Sequence, residues 1–163
     1  MSRGRSFPPV VDPHTRVLIL GSLPGVRSLA VGQYYAHPQN GFWRLAGGVI
    51  DTDLQALPYP ERLAALLAHR IGLWDVIDEA TRHGSLDAAI RDHRPNDLVQ
   101  LLETLPNLRA IAFNGATAAK LGRKTLAGLG RDIVLLDLPS SSPAYTLPLG
   151  RKAEAWSVLG GYR

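Results

Sequence analysis

The sequence contains no cysteine, which excludes disulfides, thiolate metal sites and a cysteine nucleophile. It has no apolar run long enough to span a bilayer. Its basic start, Met1 to Arg5, leads into Phe7-Pro8-Pro9 rather than the apolar stretch of a signal peptide. A cytoplasmic protein with no membrane partner is expected. Lysine is scarce: Lys120, Lys124 and Lys152 stand against fifteen arginines. Arginine pairs bidentately with phosphate and carboxylate, so this bias and the formal net charge of +4 favour an anionic partner. The acidic residues are interspersed with the basic ones, and charge alone does not identify DNA. His14, His37, His69, His83 and His93 show no metal-ligand spacing, and no G-x-S-x-G elbow is present.

What is present is one core's worth of apolar residues. At 163 residues and 45% hydrophobic composition the chain reads as a single domain, 1–163, with residues 1–12 a loosely ordered arm. Short apolar runs at Arg16–Leu20, Ile71–Ile77, Ala110–Phe113 and Ile133–Leu138 predict four strands. Helical spacing predicts helices from Asn40 to about Ile50, over Pro60–His69, from Pro95-Asn96 to Leu105, from Ala116 to Leu121, and through Ala153, Trp156 and Leu159. Ser85 is placed to cap a further helix over Leu86–Ile90, and Gly128–Arg131 reads as a loop. Strands alternating with helices imply an α/β fold with a central, mostly parallel four-stranded sheet covered on both faces. Three strand ends carry turn chemistry, Gly21-Ser-Leu-Pro-Gly25, Asn114-Gly115 and Pro139-Ser-Ser-Ser-Pro143, and in a parallel sheet they meet at one rim.

Gly21 and Gly25 permit close backbone approach by a ligand, and Pro24 preshapes the turn. Tyr34 and Tyr35 are adjacent, so one can line a cavity while the other packs, and Tyr35 is the choice for the cavity. An aromatic face beside polar amides suits a nucleobase. Asn40 precedes a helical apolar pattern and reads both as a cap and as an amide able to orient water. His37 is the adjacent titratable alternative. The serine segment supplies hydroxyls and amides that can hold phosphate oxygens. Asp75, in Trp74-Asp75, reads first as half of a structural hydrogen-bonding pair and second as a water activator.

Six segments occur in the order found in a known group: Leu18–Gly25, Gln33–Trp43, Leu73–Ile77, Gly84–Asp87, Phe113–Gly115 and Leu138–Ala144. The chain resembles the uracil-DNA glycosylase superfamily, specifically its hypoxanthine-DNA (deoxyinosine) glycosylase branch, nearly end to end. The resemblance implies a three-layer α/β/α sandwich and a monofunctional enzyme without cofactor or metal. Such an enzyme flips a deaminated base out of DNA and hydrolyses its N-glycosidic bond, leaving an abasic site. Hypoxanthine is the leading substrate, with uracil or xanthine as alternatives. Carried over by motif, Gly21, Ser22 and Leu23 form the base-pocket wall, Tyr35 the stacking surface and Asn114 a base-edge contact. Asn40 is the catalytic amide, and Ser140, Ser141, Ser142, Pro143 and Ala144 form the loop that grips and wedges the strand. Other branches place Asp or Asn where this chain has Leu23, and often His where it has Leu138, so a neutral site is implied. A monomer without an obligatory protein partner, associated with the nucleoid when acting, completes the expectation. Two alternatives stay open: a non-catalytic damaged-base-binding module, and a nucleoside or nucleotide hydrolase.

Overall fold

A computed structural model describes residues 2–82 and 84–163. Four apolar segments form strands β2 (Val17–Gly21), β3 (Ile71–Asp75), β6 (Ala110–Asn114) and β7 (Val134–Leu138). They pair in parallel in the order β3-β2-β6-β7. Side chains alternate across the two faces. Val17, Ile19, Ile71, Leu73 and Ala112 join one core cluster, with Phe42, Trp43 and Leu45 of α2 (Phe42–Val49), Leu66 of α3 (Tyr59–Ala68) and Trp156 of α6 (Leu149–Trp156). Leu18, Leu20, Ile111 and Phe113 join the other, with Leu98 and Leu102 of α4 (Leu98–Glu103) and Ala118 and Leu126 of α5 (Ala116–Leu126). Burial on both faces of β2, β3 and β6 is why these strands read as near-continuous apolar runs, while β7, at the sheet edge, is partly exposed; the packing on either face produces the three layers expected.

A short helix, α1 (Val26–Val31), follows the glycine turn and ends at Gly32, whose φ of 69° lies in the left-handed region. No apolar periodicity announces it. The chain also builds a second sheet, with the order β1-β4-β5, from β1 (Ser2–Arg5), β4 (Ile77–Arg82) and β5 (Ile90–Pro95), paired antiparallel. Here the structure departs from the expected Ser85-capped helix. Leu86 to Ile90 holds only a 3-10 turn, Asp87–Ala89, at the end of the β4–β5 hairpin. Five residues cannot offset the cost of nucleating a helix, whereas the flanking segments pair directly. The Ser85 hydroxyl instead accepts the Val26 amide at 2.9 Å, at the start of α1. Within the segment expected as a loose arm, Ser2–Arg5 pairs with β4, Val10 bridges to Leu73, and the Phe7 carbonyl accepts the Trp74 indole at 2.9 Å. Among the described residues, no helix is long and apolar enough to cross a membrane.

Candidate active site

The parallel sheet directs the carboxyl ends of its strands to one rim, and a cleft of about 530 Å³ opens there. That volume lies within the ~300–1,000 Å³ of small-molecule pockets. The expected segments all reach it: Gly21 to Gly25, Tyr35, Asn40, Asn114 and Ser140 to Ala144 line the cleft. So do Asp75, from β3, and Ser85 to Ala88, from the hairpin tip.

The floor is set by register. Gly21 stands opposite Asp75 in the β2–β3 ladder. A Cβ on Gly21 would lie 2.6 Å from Asp75 Oδ1 and 2.8 Å from the Tyr35 hydroxyl, so glycine is what lets these two oxygens approach the strand end. Tyr34 packs, as expected: it is buried, edge-on to Phe7, and its hydroxyl donates to the Pro8 carbonyl at 3.0 Å. Both rings border the cleft, 6.2 Å apart, and Tyr35 has a φ of 53°, an uncommon conformation for a tyrosine. The conformation is held from outside: Trp43 Nε1 donates to the Tyr35 carbonyl at 3.2 Å, and Phe42 stacks on the Tyr35 ring at 3.9 Å between centroids and 12° between planes. Phe42 thus covers one face of the ring whose hydroxyl reaches the floor.

Asn114 is used up by the protein itself. Its Oδ1 accepts the Ser141 amide at 2.9 Å, and its Nδ2 donates to Ser141 Oγ at 2.9 Å and to the Tyr35 hydroxyl at 3.3 Å. The expected base-edge contact therefore sits on the cleft wall with its Nδ2 hydrogens spent on Ser141 and Tyr35, leaving only the second lone pair of Oδ1 to meet a base. Gly115 follows at φ 100°, where a Cβ would meet Ser140 Cβ at 3.1 Å. Of the three serines, Ser141 is buried. Ser140 Oγ accepts the Ser142 amide at 3.1 Å and Ser142 Oγ accepts the Ala144 amide at 3.2 Å, so the hydroxyls shape the loop locally. Lys152 donates to the Ser142 carbonyl at 3.0 Å, and the Ser141 carbonyl accepts the Gly41 amide at 2.9 Å, tying this loop to the segment that carries Asn40.

Asn40 is half-buried, and its Oδ1 accepts the Phe42 amide at 2.9 Å at the start of α2. The N-cap of α2 is Gly41, so Asn40 closes a turn just before the helix rather than capping it; the second lone pair of Oδ1 and the Nδ2 hydrogens are what it can offer a ligand or water. His37 also lines the cleft, and its Nδ1 accepts the Gln39 amide at 3.1 Å. Leu23 is 7% exposed and packs its side chain with the core beneath the turn, so it contributes apolar floor rather than polar contact.

The neutral site implied by the resemblance is corrected on the hairpin side. Ser22 Oγ donates to Asp87 Oδ1 at 2.7 Å, and buried Arg82 reaches both Asp87, at 3.4 Å, and the Pro24 carbonyl. Burial raises the Asp87 pKa, with the Ser22 hydroxyl and Arg82 opposing the shift. Asp75 is 3% exposed and its Oδ2 has no hydrogen-bond partner. Burial, helped by Asp87 and opposed by Arg82, pushes its carboxyl up to about 7. The structural pair with Trp74 is not formed, since that indole donates to Phe7. Two carboxyls therefore face the cleft, of which Asp75 was expected only as a secondary candidate and Asp87 not at all. Asp87 closes the Gly84–Asp87 segment, one of the matching blocks, which was the available signal for it; Arg82, on a polar strand, carried none.

The chain matches the family model described as "Uracil DNA glycosylase superfamily" over residues 8–160. A protein named hypoxanthine DNA glycosylase from Methanosarcina acetivorans is 46% identical over 155 residues, 95% of this chain and 96% of that one. A protein of the same name from Methanosarcina barkeri is 41% identical over 153 residues, covering 94% and 95% of the two chains. The solution NMR structure of a uracil-DNA-glycosylase-like protein from Methanosarcina acetivorans superposes with a TM-score of 0.85 at 40% identity, covering 98% of this chain and 97% of that one.

Proposed function

The chain belongs to the uracil DNA glycosylase superfamily, a DNA repair glycosylase acting on deaminated bases, and on that premise we propose that hypoxanthine is its principal substrate and that Asn40 is its catalytic amide. One observation carries the reading: four separate segments, Gly21–Gly25, Tyr35–Asn40, Asn114 and Ser140–Ala144, converge on a single cleft at the strand ends. The glycosidic bond of a stacked base is out of reach inside a duplex, so the target nucleotide is extruded into this cleft. The serine loop lies at its rim, where the Ser140 and Ser142 hydroxyls, each accepting a loop amide, keep their protons to donate to the phosphates of the strand.

Cleavage in this site is largely dissociative. Positive charge develops on the deoxyribose as the base departs, and donors near Ser22 stabilise the electron density that the base takes with it. Asn40 has no useful basicity near neutral pH, so it works by position: its amide orients the water that captures the sugar. The turn bond to the Phe42 amide holds that side chain in place, and the link from Gly41 to Ser141 keeps it in register with the serine loop.

The test is single-turnover excision on labelled duplexes carrying hypoxanthine, uracil or xanthine, with abasic sites cleaved by alkali. Hypoxanthine is expected to be released fastest. Asn40→Ala is expected to lower that rate by about 100-fold or more, the scale of a lost positioning or electrostatic contact. Asn40→Asp keeps the acceptor for the Phe42 amide and is expected to fold normally while remaining impaired. Near-normal rates in both variants remove Asn40 from catalysis; binding of lesions without release of any base favours a recognition module.

A further inference from the structure

Arginines elsewhere in the fold have anionic partners: Arg5, Arg82, Arg94 and Arg123 each meet a carboxylate. A row of three at the amino ends of the parallel strands does not. Arg70, Arg16 and Arg109 directly precede β3, β2 and β6. The backbone joins them side by side: the Arg16 amide donates to the Arg70 carbonyl at 2.8 Å, and the Arg109 amide donates to the Arg16 carbonyl at 2.8 Å. Among the described residues, none of the three guanidiniums has an ion pair or a hydrogen bond. Arg70 and Arg109 are exposed and Arg16 is half-buried. Partial burial, then the charges of Arg109 and Arg70, lower the Arg16 pKa. Like charges placed opposite one another in a sheet oppose its pairing, so the row works against the fold that carries it. What relieves it is an anion brought from outside.

The dimensions suit a particular anion. Neighbouring strands stand about 4.8 Å apart, so the three guanidiniums span about 10 Å. One strand of duplex DNA rises about 3.4 Å per phosphate and presents about three phosphates over that length. Guanidinium meets phosphate oxygens bidentately. The row lies at the opposite end of β2 from the cleft, with Arg16 before the strand and Gly21 closing it, ~17 Å apart along the chain direction. DNA resists bending over such short distances, so a duplex seated in the cleft does not also wrap to the far end of the domain.

Resting on the glycosylase reading above, we propose that Arg16, Arg70 and Arg109 form a second DNA-backbone site, which holds a separate duplex segment while the cleft is occupied. Guanidiniums on phosphates carry no sequence information, so the second segment needs no lesion. One molecule thereby bridges two segments and passes from one to the other without release into solvent.

The test fills the cleft first. The full chain is loaded on an immobilised duplex carrying one non-hydrolysable 2′-fluoro hypoxanthine nucleotide, washed, and titrated with a fluorescent lesion-free duplex. The parent chain is expected to retain the fluorescent duplex, with an affinity that falls about 40-fold between about 50 and 200 mM salt, as three phosphate contacts require. The Arg16→Gln/Arg70→Gln/Arg109→Gln variant is expected to stay on the immobilised duplex and to excise hypoxanthine from a short duplex at the parent's rate. Its affinity for the second duplex is expected to fall by ~10-fold or more. It is expected to melt at or above the parent's temperature at low salt, since repulsion has been removed. If the triple variant does not fold, Arg70→Gln/Arg109→Gln changes exposed side chains alone and is expected to lose most of the same retention. Retention unchanged in these variants overturns the second site, as does retention that follows self-association of the chain in sedimentation. Stronger displacement of the second duplex by poly-glutamate than by unlabelled DNA of equal charge assigns the row to an acidic protein and overturns the DNA assignment. A parent chain that excises hypoxanthine yet retains no second duplex removes this proposal alone, whereas one that excises no deaminated base removes the glycosylase reading.

Discussion

The two walls of the cleft differ in how completely their polar groups are paired. On the β6–β7 side, both polar atoms of the Asn114 amide are committed, to Ser141 and to Tyr35. On the β3–β4 side, Asp75 Oδ2 has no partner, and two carboxyls share the influence of one buried arginine. A satisfied network in a low-dielectric interior is rigid, whereas an unsatisfied carboxyl there stores a cost that a suitable ligand relieves. The first wall is scaffold for Tyr35 and the serine loop. The second carries the electrostatics that a base would meet.

The contrast breaks most visibly if the paired wall proves dispensable. Asn114→Ala strands the buried Ser141 amide and releases the Tyr35 hydroxyl. It is expected to lower unfolding free energy by about 3 kcal/mol in urea titrations and to cut single-turnover excision by about 100-fold. A loss under about 1 kcal/mol would put the two walls on the same footing.

Asp75→Asn is expected to act in the opposite direction on stability. The folded-state pKa of about 7 lies above the ordinary value of 3.8, so between those two pH values the folded chain keeps a proton that the unfolded chain has released. The destabilisation is absent below about pH 4, grows as pH rises toward 7 and is constant above it. The variant should therefore exceed the parent by on the order of 2 kcal/mol at pH 8 and converge with it only below about pH 4, which thermal melts at several pH values would reveal. A pH-independent difference would mean that packing, not ionisation, sets the cost.

The smallest effect sharpens the comparison from within the unpaired wall. Ser22→Ala removes one hydrogen bond to Asp87, which keeps its contact with Arg82. A loss of about 1 kcal/mol is expected. The Asp87 pKa should climb further, since the Ser22 hydroxyl now holds it down, and carboxyl NMR titration would follow it. An unmoved titration would show that burial and Arg82, without Ser22, govern Asp87.

Much of this was legible in the chain. Fully buried parallel strands announce themselves as unbroken apolar runs, and their turn residues mark the rim, so the sheet, its carboxyl edge and the segments meeting there follow from local pattern. The expectation that Tyr35 and not Tyr34 lines the cleft assumed an extended backbone; Tyr35 has a φ of 53°, and Tyr34 borders the cleft as well. The hairpin did not: Ile77–Arg82 and Ile90–Pro95 carry Asp, Glu, Arg and His in place of an apolar stripe, and their strand character comes from pairing with each other and with Ser2–Arg5. Asn114 looked available for a base because its partner, Ser141, lies 27 positions away.

By itself the sequence determined the layers, the position of the rim and the residue types brought to it, because these depend on short-range periodicity and on the intrinsic geometry of glycine, proline and asparagine. Tertiary structure alone decided which of those residues have polar atoms left to offer. Pairing and desolvation are sums over atoms from distant segments, so a spent amide at Asn114 and an unanswered carboxyl at Asp75 acquire those states only when β2, β3, β6 and the hairpin close around the same space.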